Sequence, residues 1–407
     1  MRLGVLSPFR VRSFRFQWPA DLLASWAFEM ETLILGWYIL VETGSVLLLT
    51  VFGSLQYLGT MIAPLIGVAG DRVGHRNVLF AMRAAYTLLA ASVMILAFAH
   101  ALSPLLVLAI VALNGMLRPS DIGVRTALVA HTMPPEQLIG ALAVARTTVD
   151  SARIAGALAG AGLFVALGMG PAYIVVTCFY AGGALFTLGV TGPRIVREGA
   201  GATATPSPWQ DLKEGIAYVW ATPGVHATIW IALLVNATAY PISNGLLPHV
   251  AKNVYGTDET GLGYLAASFA AGALIGSILL TVAGNRMRLA RVMIFASAGW
   301  YAVLLMFAHA HSLIGGTVWL MLAGFMQSLS VVSLAAILMR TADARFRGRV
   351  MGVRMLGIYG LPFGLLAAGA LIGRIGFAPT ATLYASAGLA LTLAIAVRWR
   401  SDVWGEQ

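Results

Sequence analysis

The stretch GVAGDRVGHRNVL, residues 67–79, decides how this chain is expected to fold. It combines three glycines with Asp71, Arg72 and Arg76, whereas the runs on both sides of it are long and mostly apolar. Short polar turns between long apolar segments are typical of a chain that crosses a membrane repeatedly. We therefore interpret this stretch as a loop between two membrane-spanning helices.

Composition supports a membrane protein. Of the 407 residues, 59% are hydrophobic and only 10% are charged, whereas a soluble domain has about 25% charged residues. So few charged residues cannot cover a surface that faces water. We therefore expect most of the protein surface to face lipid. The single cysteine, Cys178, excludes an intramolecular disulfide and a cysteine metal cluster, and we expect it to be a small buried apolar side chain.

Apolar segments long enough to span a bilayer as helices, about 20 residues each, occur twelve times. They are too long for the strands of a membrane barrel, which need about ten alternating residues. The sequence therefore predicts an all-α integral membrane protein with twelve transmembrane helices. The predicted spans are 16–41, 44–67, 78–99, 104–130, 137–166, 171–191, 224–251, 259–283, 292–309, 312–340, 346–373 and 378–397.

A long break separates the spans into two six-helix halves, residues 1–192 and 224–407. Within the break, residues 193–207 are rich in Gly, Pro, Ala and Thr, which indicates a flexible linker. Residues 208–220 are amphipathic and predict a helix at the membrane surface, with Trp209, Ile216 and Trp220 toward lipid. Two six-span halves joined by a cytoplasmic linker are the layout of internally repeated secondary transporters.

The basic residues favour one side of the membrane. Clusters such as 286–291 and 345–349 lie in loops on that side, whereas the other side has little more than Lys252 and Arg374. This asymmetry places both termini in the cytoplasm. It also explains most of the formal net charge of +10, so the charge is not evidence of nucleic-acid binding.

The opening stretch resembles a known family signature. The pattern Gly67-x-x-x-Asp71-Arg72-x-Gly74-His75-Arg76 is similar to the signature of the major facilitator superfamily between spans 2 and 3. The segments FRFQWPADLLASW and LVAHTMPPEQLIGALAV resemble the twelve-span drug and siderophore exporters, which include macrolide and enterobactin efflux proteins. The resemblance covers nearly the whole chain and implies the fold of that superfamily without specifying the substrate.

The resemblance also implies a role for the motif. In the family this loop is a conformational latch that holds the cytoplasmic side shut against span 11. Carried over, Asp71 would bond near the start of span 11 and Arg72 would support it. The motif residues would then be Gly67, Asp71, Arg72, Gly74 and Arg76. The alternative is that they only set the topology and form a tight turn.

Two carboxyl groups in span 1, Glu29 and Glu31, are candidates for handling protons or substrate. An ionisable group at membrane depth costs about 2.5–3.5 kcal/mol and is a functional candidate by default. The two residues are about 200° apart around the helix, so both cannot face one cavity. Glu31 suits a proton carrier, and the alternative is a carboxylate that pairs with an arginine or sits at an aqueous mouth.

Spans 4 and 5 each carry an Arg–Asp–Arg stripe on one helix face, since the spacings are i, i+3, i+7 and i, i+4, i+7. The stripes could pair with each other or with span 1. We expect the span 4 stripe to lie near the cytoplasmic end as gating or structural ion pairs. We expect the span 5 stripe to lie deeper in the translocation path, or else to form a buried satisfied network. The residues are Arg118, Asp121 and Arg125 in span 4, and Arg146, Asp150 and Arg153 in span 5.

The C-terminal half has fewer charges and more neutral polar groups. Pro241 and Pro248 predict a kinked or broken span 7, and a broken helix at membrane depth is tolerated where it lines a cavity. An acidic and basic N-terminal half with a polar, aromatic C-terminal half would suit an amphipathic organic solute. The candidate residues here are Asn236, Tyr240, Asn244, Gln327 and Arg354.

These observations predict proton-driven export of small amphipathic molecules across a bacterial-type inner membrane by alternating access. The expected partners are a small-molecule substrate, protons and the lipid bilayer, without nucleic acid, cofactor or metal, and we expect a monomer. Lysophospholipid flipping and metabolite uptake are alternatives, and a non-transporting receptor or scaffold is a distant one. The sequence lacks the motifs of a hydrolase, a zinc protease or a nucleotide-binding enzyme.

Overall fold

The computed structural model describes residues 7–60, 62–191, 208–283, 287–343 and 346–400. All regular secondary structure in these ranges is helical, which agrees with the predicted all-α fold. The helices are α1 (Arg12–Thr43), α2 (Val46–Leu55), α3 (Ala63–Val73), α4 (His75–Phe98), α5 (Pro104–Thr132), α6 (Pro135–Leu167), α7 (Met169–Leu188), α8 (Pro208–Ala221), α9 (Pro223–Val254), α10 (Glu259–Ala283), α11 (Leu289–Ala308), α12 (Leu313–Thr341), α13 (Arg347–Gly357), α14 (Gly360–Ile375) and α15 (Phe377–Arg398).

Ten helical segments in the described ranges are long and apolar enough to cross a membrane, and Val46–Thr60 is a shorter apolar helix. Helix α1, which corresponds to the first predicted span, has 32 residues but is not among the ten, since acidic side chains interrupt its apolar length. The second predicted span is divided into α2, a short 3₁₀ turn and α3. A multi-pass helical membrane protein is therefore supported, while the count of twelve stays a prediction.

Helix ends follow local sequence signals. The Ser103 hydroxyl accepts a hydrogen bond from the Leu106 N–H at 3.4 Å, and Pro104 follows at the first helical position, as expected of a helix start. At the end of α1, Gly44 has a φ of 63° and returns its N–H to the carbonyl of Leu40, which is a glycine C-cap.

The helices separate into two compact units. In the first unit, Met1–Gly44 with Leu55–Ala202, helix α1 packs against α6 and α7, and α4 packs against α7. In the second unit, Ser45–Ser54 with Thr203–Gln407, α12 packs between α10 and α11, and α15 packs on α11. The division into two six-helix halves and a linker stays a prediction about domain organisation. In the structure, most of α2 belongs to the second unit.

The predicted amphipathic segment after the linker is helical. It forms α8, on which Trp220 is 62% exposed and Ile216 is 36% exposed. The side chain of Trp209 and the linker residues 193–207 lie outside the described residues. The opposite face of α8 packs on α13, where Arg349 pairs with Glu214 at 2.7 Å.

Two predicted spans of the second unit are irregular helices. Helix α9 contains π-helical turns at Val235–Ala239, Pro241–Gly245 and Val250–Val254. The break agrees with the predicted effect of its prolines, which lack an N–H for the helical ladder. The predicted span 346–373 is likewise interrupted between α13 and α14.

Large apolar side chains cover the outside of both units, as a lipid-facing surface requires. Examples are Leu105, Val282 and Ile314, which are 77%, 80% and 79% exposed. One sequence prediction is wrong here, because Cys178 is exposed rather than buried. Its thiol therefore lies on the exposed surface of α7 and not between packed helices.

Candidate functional site

Glu31 lies inside the first unit without an ion pair among the described residues. Its side chain is buried, and one carboxylate oxygen, Oε2, accepts hydrogen bonds from the Tyr180 hydroxyl at 2.7 Å and the Asn114 amide at 3.0 Å. The other oxygen, Oε1, has no hydrogen-bond partner within the described residues. Neutral groups from α5 and α7 thus hold this carboxyl group.

Glu29 points toward a different helix. Its carboxylate lies 3.8 Å from the Arg153 guanidinium of α6, and both side chains are partly exposed. Gly156 permits this approach, because a Cβ atom there would come within 2.8 Å of the Glu29 Cβ. The two glutamates therefore diverge around α1, as their spacing predicts.

The positive charge of Arg118 interacts with both Glu29 and Glu31. The Arg118 guanidinium lies over the ring of Phe28. Within the described part of the chain no ion pair within 4.0 Å joins it to either carboxylate. Arg118 thus supplies positive charge to this group, which we call the Glu31 cluster: Glu29, Glu31, Asn114, Arg118 and Tyr180.

A second buried group surrounds Asp21, closer to the start of α1. Asp21 pairs directly with Arg83, whose side chain is fully buried and also donates to the Thr187 hydroxyl. Arg125 lies 3.6 Å from Asp21 and pairs directly with Asp121. We call these residues, Asp21, Arg83, Asp121, Arg125 and Thr187, the Asp21 network.

The network balances its charges, with two carboxylates against two guanidinium groups. Arg125 also donates to the Ser25 hydroxyl at 3.2 Å, and its backbone carbonyl accepts from Gln17 at 3.1 Å. Each carboxylate of the network thus has a guanidinium partner, and charge-assisted hydrogen bonds of this kind are stronger than neutral ones. The geometry is that of a structural ion-pair network that joins α1, α4, α5 and α7.

The two predicted stripes pair with α1, which was one of the alternatives that the sequence left open. Arg125 of the first stripe approaches Asp21, and Arg153 of the second approaches Glu29. Each stripe also contains an i, i+4 pair, formed by Arg125 with Asp121 and by Arg146 with Asp150.

The expected difference in depth between the two stripes does not appear in their contacts with α1. Arg118 lies over Phe28, and Arg153 lies 3.8 Å from Glu29, the next residue of α1. Toward the start of α1, Arg125 lies 3.6 Å from Asp21, and the Thr148 hydroxyl accepts from Trp18. Because α5 and α6 run in opposite directions along α1, the two stripes cover the same part of it. The Arg146 side chain, which pairs with Asp150 at 3.0 Å, is 60% exposed.

In the second unit the structure brings together only part of the predicted polar set. The Gln327 amide donates to the Tyr240 hydroxyl at 2.7 Å, and the Tyr240 ring stands edge-on to Trp300 at 5.1 Å between centroids. The Asn236 amide instead donates to the Ala232 carbonyl of its own helix at 2.8 Å. Asn244 is exposed and Arg354 is half-buried.

The glycine-rich motif is almost entirely helical rather than a loop. Gly67, Asp71 and Arg72 belong to α3, and His75 already begins α4, so Gly74 alone connects the two helices. Its φ of 96° is a conformation that favours glycine. The predicted loop between the spans 44–67 and 78–99 is therefore reduced to one residue, since Gly74 suffices to turn the chain.

Neighbouring contacts fix this turn. The Arg76 guanidinium donates to the carbonyl of Val190 at 3.3 Å, and the His75 ring stacks on His131 at 4.9 Å. The motif thus touches the ends of α5 and α7 within its own unit. The Asp71 side chain lies outside the described residues, so the latch stays a prediction.

Comparisons with known proteins agree with this architecture. Residues 229–405 match the Major Facilitator Superfamily, and no curated protein matches the chain. The POT family transporter PepTSo has a TM-score of 0.76 at 11% identity, covering 97% of this chain and 99% of its own. The two chains thus share a fold over nearly their whole lengths.

Two further solved structures show the same likeness. The nucleoside transporter NupG has a TM-score of 0.69 at 14% identity and covers 96% of this chain and 100% of its own. The human organic anion transporter MFSD10 has a TM-score of 0.64 at 17% identity and covers 94% of this chain and 99% of its own. These neighbours show the same fold over nearly the whole chain, and the family match covers residues 229–405.

Sequence reasoning missed Asn114 and Tyr180 among the polar groups of the first unit. Asn114 lies four residues before Arg118 on one face of α5, so the helical period could have found it. Tyr180 gave no comparable signal, because an uncharged tyrosine in an apolar run is ordinarily an aromatic core residue. Arg83 is visible as a charge within the third predicted span, but the sequence does not show that Asp21 is its partner. No group of three or more His, Cys, Asp or Glu that could hold a metal ion occurs among the described residues.

Proposed function

We propose that the chain is a secondary active transporter that couples proton movement to export of small amphipathic organic molecules by alternating access. The observation that carries the proposal is Glu31, which is 3% exposed and is held by the neutral donors Tyr180 and Asn114. Export rather than uptake follows the resemblance to drug and siderophore exporters.

The physical argument concerns which carboxyl group can exist in two protonation states. A carboxylate paired with a guanidinium is held ionised, because its protonation leaves an uncompensated buried cation. Glu31 has no such direct pair among the described residues, and burial itself favours the neutral form of a carboxyl group. Glu31 can therefore take and release a proton at smaller cost than Asp21.

Arg118 is proposed to link protonation with cargo. When Glu31 is ionised, the positive charge of Arg118 is offset by the nearby glutamates with which it interacts. When Glu31 is protonated, part of that charge is free to act on a polar group of the cargo. Proton and cargo would then compete through one cluster, as exchange of the two requires.

The second unit supports an amphipathic cargo. Its described polar pair, Tyr240 with Gln327, is uncharged and lies against the aromatic ring of Trp300. Such groups suit aromatic or amide-bearing solutes rather than strongly charged ones. Metabolite uptake and lysophospholipid flipping remain the alternatives, and the named neighbours span nucleoside, peptide-family and organic anion transporters.

The proposal is tested by transport in proteoliposomes under an imposed pH gradient, with fluorescent dyes and candidate solutes. We expect gradient-dependent movement of at least one amphipathic solute by the wild-type protein. Glu31→Gln keeps the shape and hydrogen-bonding capacity of the side chain but cannot release a proton, so it abolishes dependence on the gradient.

The matched control is Glu42→Gln. Glu42 lies on the same helix but is exposed near its end, so the substitution removes one acid from α1 without touching the Glu31 cluster. Gradient-driven transport should persist in this variant. Wild-type transport that ignores the gradient, or Glu31→Gln transport that still follows it, contradicts proton coupling.

The predicted latch has a separate test. Asp71→Asn should weaken closure of the cytoplasmic side and increase labelling of cysteines that are introduced along the first half of α1 and the second half of α5. Arg72 is exposed in the same motif, and Arg72→Gln should have a smaller effect in the same direction. Unchanged labelling in Asp71→Asn would defeat the latch hypothesis.

A further inference from the structure

An open groove runs along the outer surface of the second unit between α11 and α12. It has a volume of about 430 Å³, which falls in the range of clefts that hold small ligands. Arg288 and Arg291 lie at one end, and Phe295, Met326 and Leu329 line the rest. Because basic loops mark the predicted cytoplasmic side, the arginine end faces the cytoplasmic headgroup layer.

The sequence of α11 builds this arrangement. Arg288, Arg291, Val292 and Phe295 follow a spacing of i, i+3, i+4 and i+7, so they share one face of the helix. The basic pair is at the helix end, and the apolar residues extend one to two turns toward the bilayer centre. The groove is thus amphipathic along the membrane normal.

The basic end is also the positive end of the helix. Arg288 is the N-cap residue of α11, and the first turn of α11 contains no acidic residue. Unpaired N–H groups at a helix start favour negative charge. Two guanidinium groups and a helix N-terminus therefore act on the same volume, and all three attract an anion.

The apolar part faces lipid. Phe295 is 63% exposed, whereas Ala296 and Leu329 beneath it are 4% and 8% exposed and belong to the core between α10, α11 and α12. The floor of the groove is therefore rigid core and its wall is an exposed aromatic ring. That shape fits a flexible hydrocarbon chain lying against the protein.

We propose that this groove binds an anionic membrane phospholipid, with the headgroup phosphate on Arg288 and Arg291 and an acyl chain against Phe295, Met326 and Leu329. Charge complementarity selects the anionic headgroup, since basic pockets between helices on the cytoplasmic side bind such lipids. The lipid site is independent of the proton-coupled mechanism, because its residues are separate from the Glu31 cluster.

The experiment measures lipid retained after reconstitution. Full-length protein is placed in vesicles of equal phosphatidylglycerol and phosphatidylcholine, solubilised in neutral detergent, washed and weighed by native mass spectrometry. Wild-type protein should retain phosphatidylglycerol in preference to phosphatidylcholine. Arg288→Gln with Arg291→Gln should weaken phosphatidylglycerol retention about 30-fold, since each basic residue contributes to binding an anionic lipid.

The charge control is Arg398→Gln with Arg400→Gln. These two arginines are exposed on the same predicted side, at and just past the end of α15, and removing them should leave the retained lipid unchanged. An equal loss of retained phosphatidylglycerol in this control would show that the lipid is attracted by overall basic charge. That result would overturn the proposed site in the groove.

The shape control is Val292→Trp, which fills the groove without changing its charge. We expect it to reduce retention as much as the double arginine variant does, with an unchanged elution volume in size-exclusion chromatography. Full retention by Val292→Trp overturns the acyl-chain part of the proposal. Complete displacement of phosphatidylglycerol by inorganic phosphate would identify a free-anion site and overturn the lipid assignment.

Discussion

Asp21 and Glu31 lie on the same helix and are both buried, at 4% and 3% exposure, yet their surroundings differ. Asp21 pairs directly with Arg83 and lies 3.6 Å from Arg125. Glu31 accepts hydrogen bonds from Tyr180 and Asn114, and Arg118 acts on it only at longer range.

This difference shows how one helix can carry one acid with a structural role and another that can exchange a proton. Removal of charge from a direct buried pair leaves its partner uncompensated, which is strongly unfavourable. Removal of charge from a carboxyl group that neutral donors hold weakens its hydrogen bonds and, for Glu31, its longer-range interaction with Arg118. Burial alone therefore does not distinguish the two roles, whereas the identity of the partner does.

The largest expected effect is the loss of stability when the Asp21 network is broken. Asp21→Asn or Arg83→Met should each destabilise the protein by about 3–5 kcal/mol, because one buried charge loses its partner. Thermal unfolding of the purified protein in detergent measures the change, with Glu42→Gln as the control. Unfolding temperatures equal to that of the wild type would contradict the structural role of the Asp21 network.

A smaller effect is expected from single hydrogen bonds in the two groups. Tyr180→Phe and Thr187→Val each remove one buried hydroxyl partner and should cost about 1–3 kcal/mol. Only Tyr180→Phe should also shift the pH dependence of transport, because its partner is Glu31 rather than Arg83. Identical pH profiles for the two variants would mean that the Glu31 cluster does not govern coupling.

The smallest effects are expected from the exposed arginines of α6. The side chains of Arg146 and Arg153 are 60% and 42% exposed, so water screens each guanidinium and its pair contributes less than the buried pairs of the Asp21 network. Arg146→Gln and Arg153→Gln should therefore unfold near the wild-type temperature and retain gradient-driven transport. If Arg153→Gln abolishes that transport, Glu29 shares the role that we propose for Glu31.

Much of the fold could be predicted from the sequence, because apolar length and charge asymmetry are local properties. The irregular course of α9 follows from Pro241 and Pro248, and the divergence of Glu29 and Glu31 follows from the helical period. The division of the second span and the single-residue turn at Gly74 could not be predicted in the same way. They depend on how neighbouring helices pack, which hydropathy does not record.

The candidate site was less predictable. Charged residues at membrane depth were visible, so Glu31, Arg118 and the two stripes could be selected from the sequence. Their partners could not, since Arg83 and Tyr180 meet α1 only after α4 and α7 pack against it. The part of α1 that Arg118 meets could not be predicted either, because it depends on the direction of α5 relative to α1.

Infrared difference spectroscopy of the reconstituted protein during a pH titration tests the central claim most directly. A protonated carboxyl group has a C=O stretching band that its ionised form lacks. The account predicts a titrating band that is present in the wild type and in Asp21→Asn but absent in Glu31→Gln. A band that survives Glu31→Gln and disappears in Asp21→Asn would contradict the assignment of the proton to Glu31.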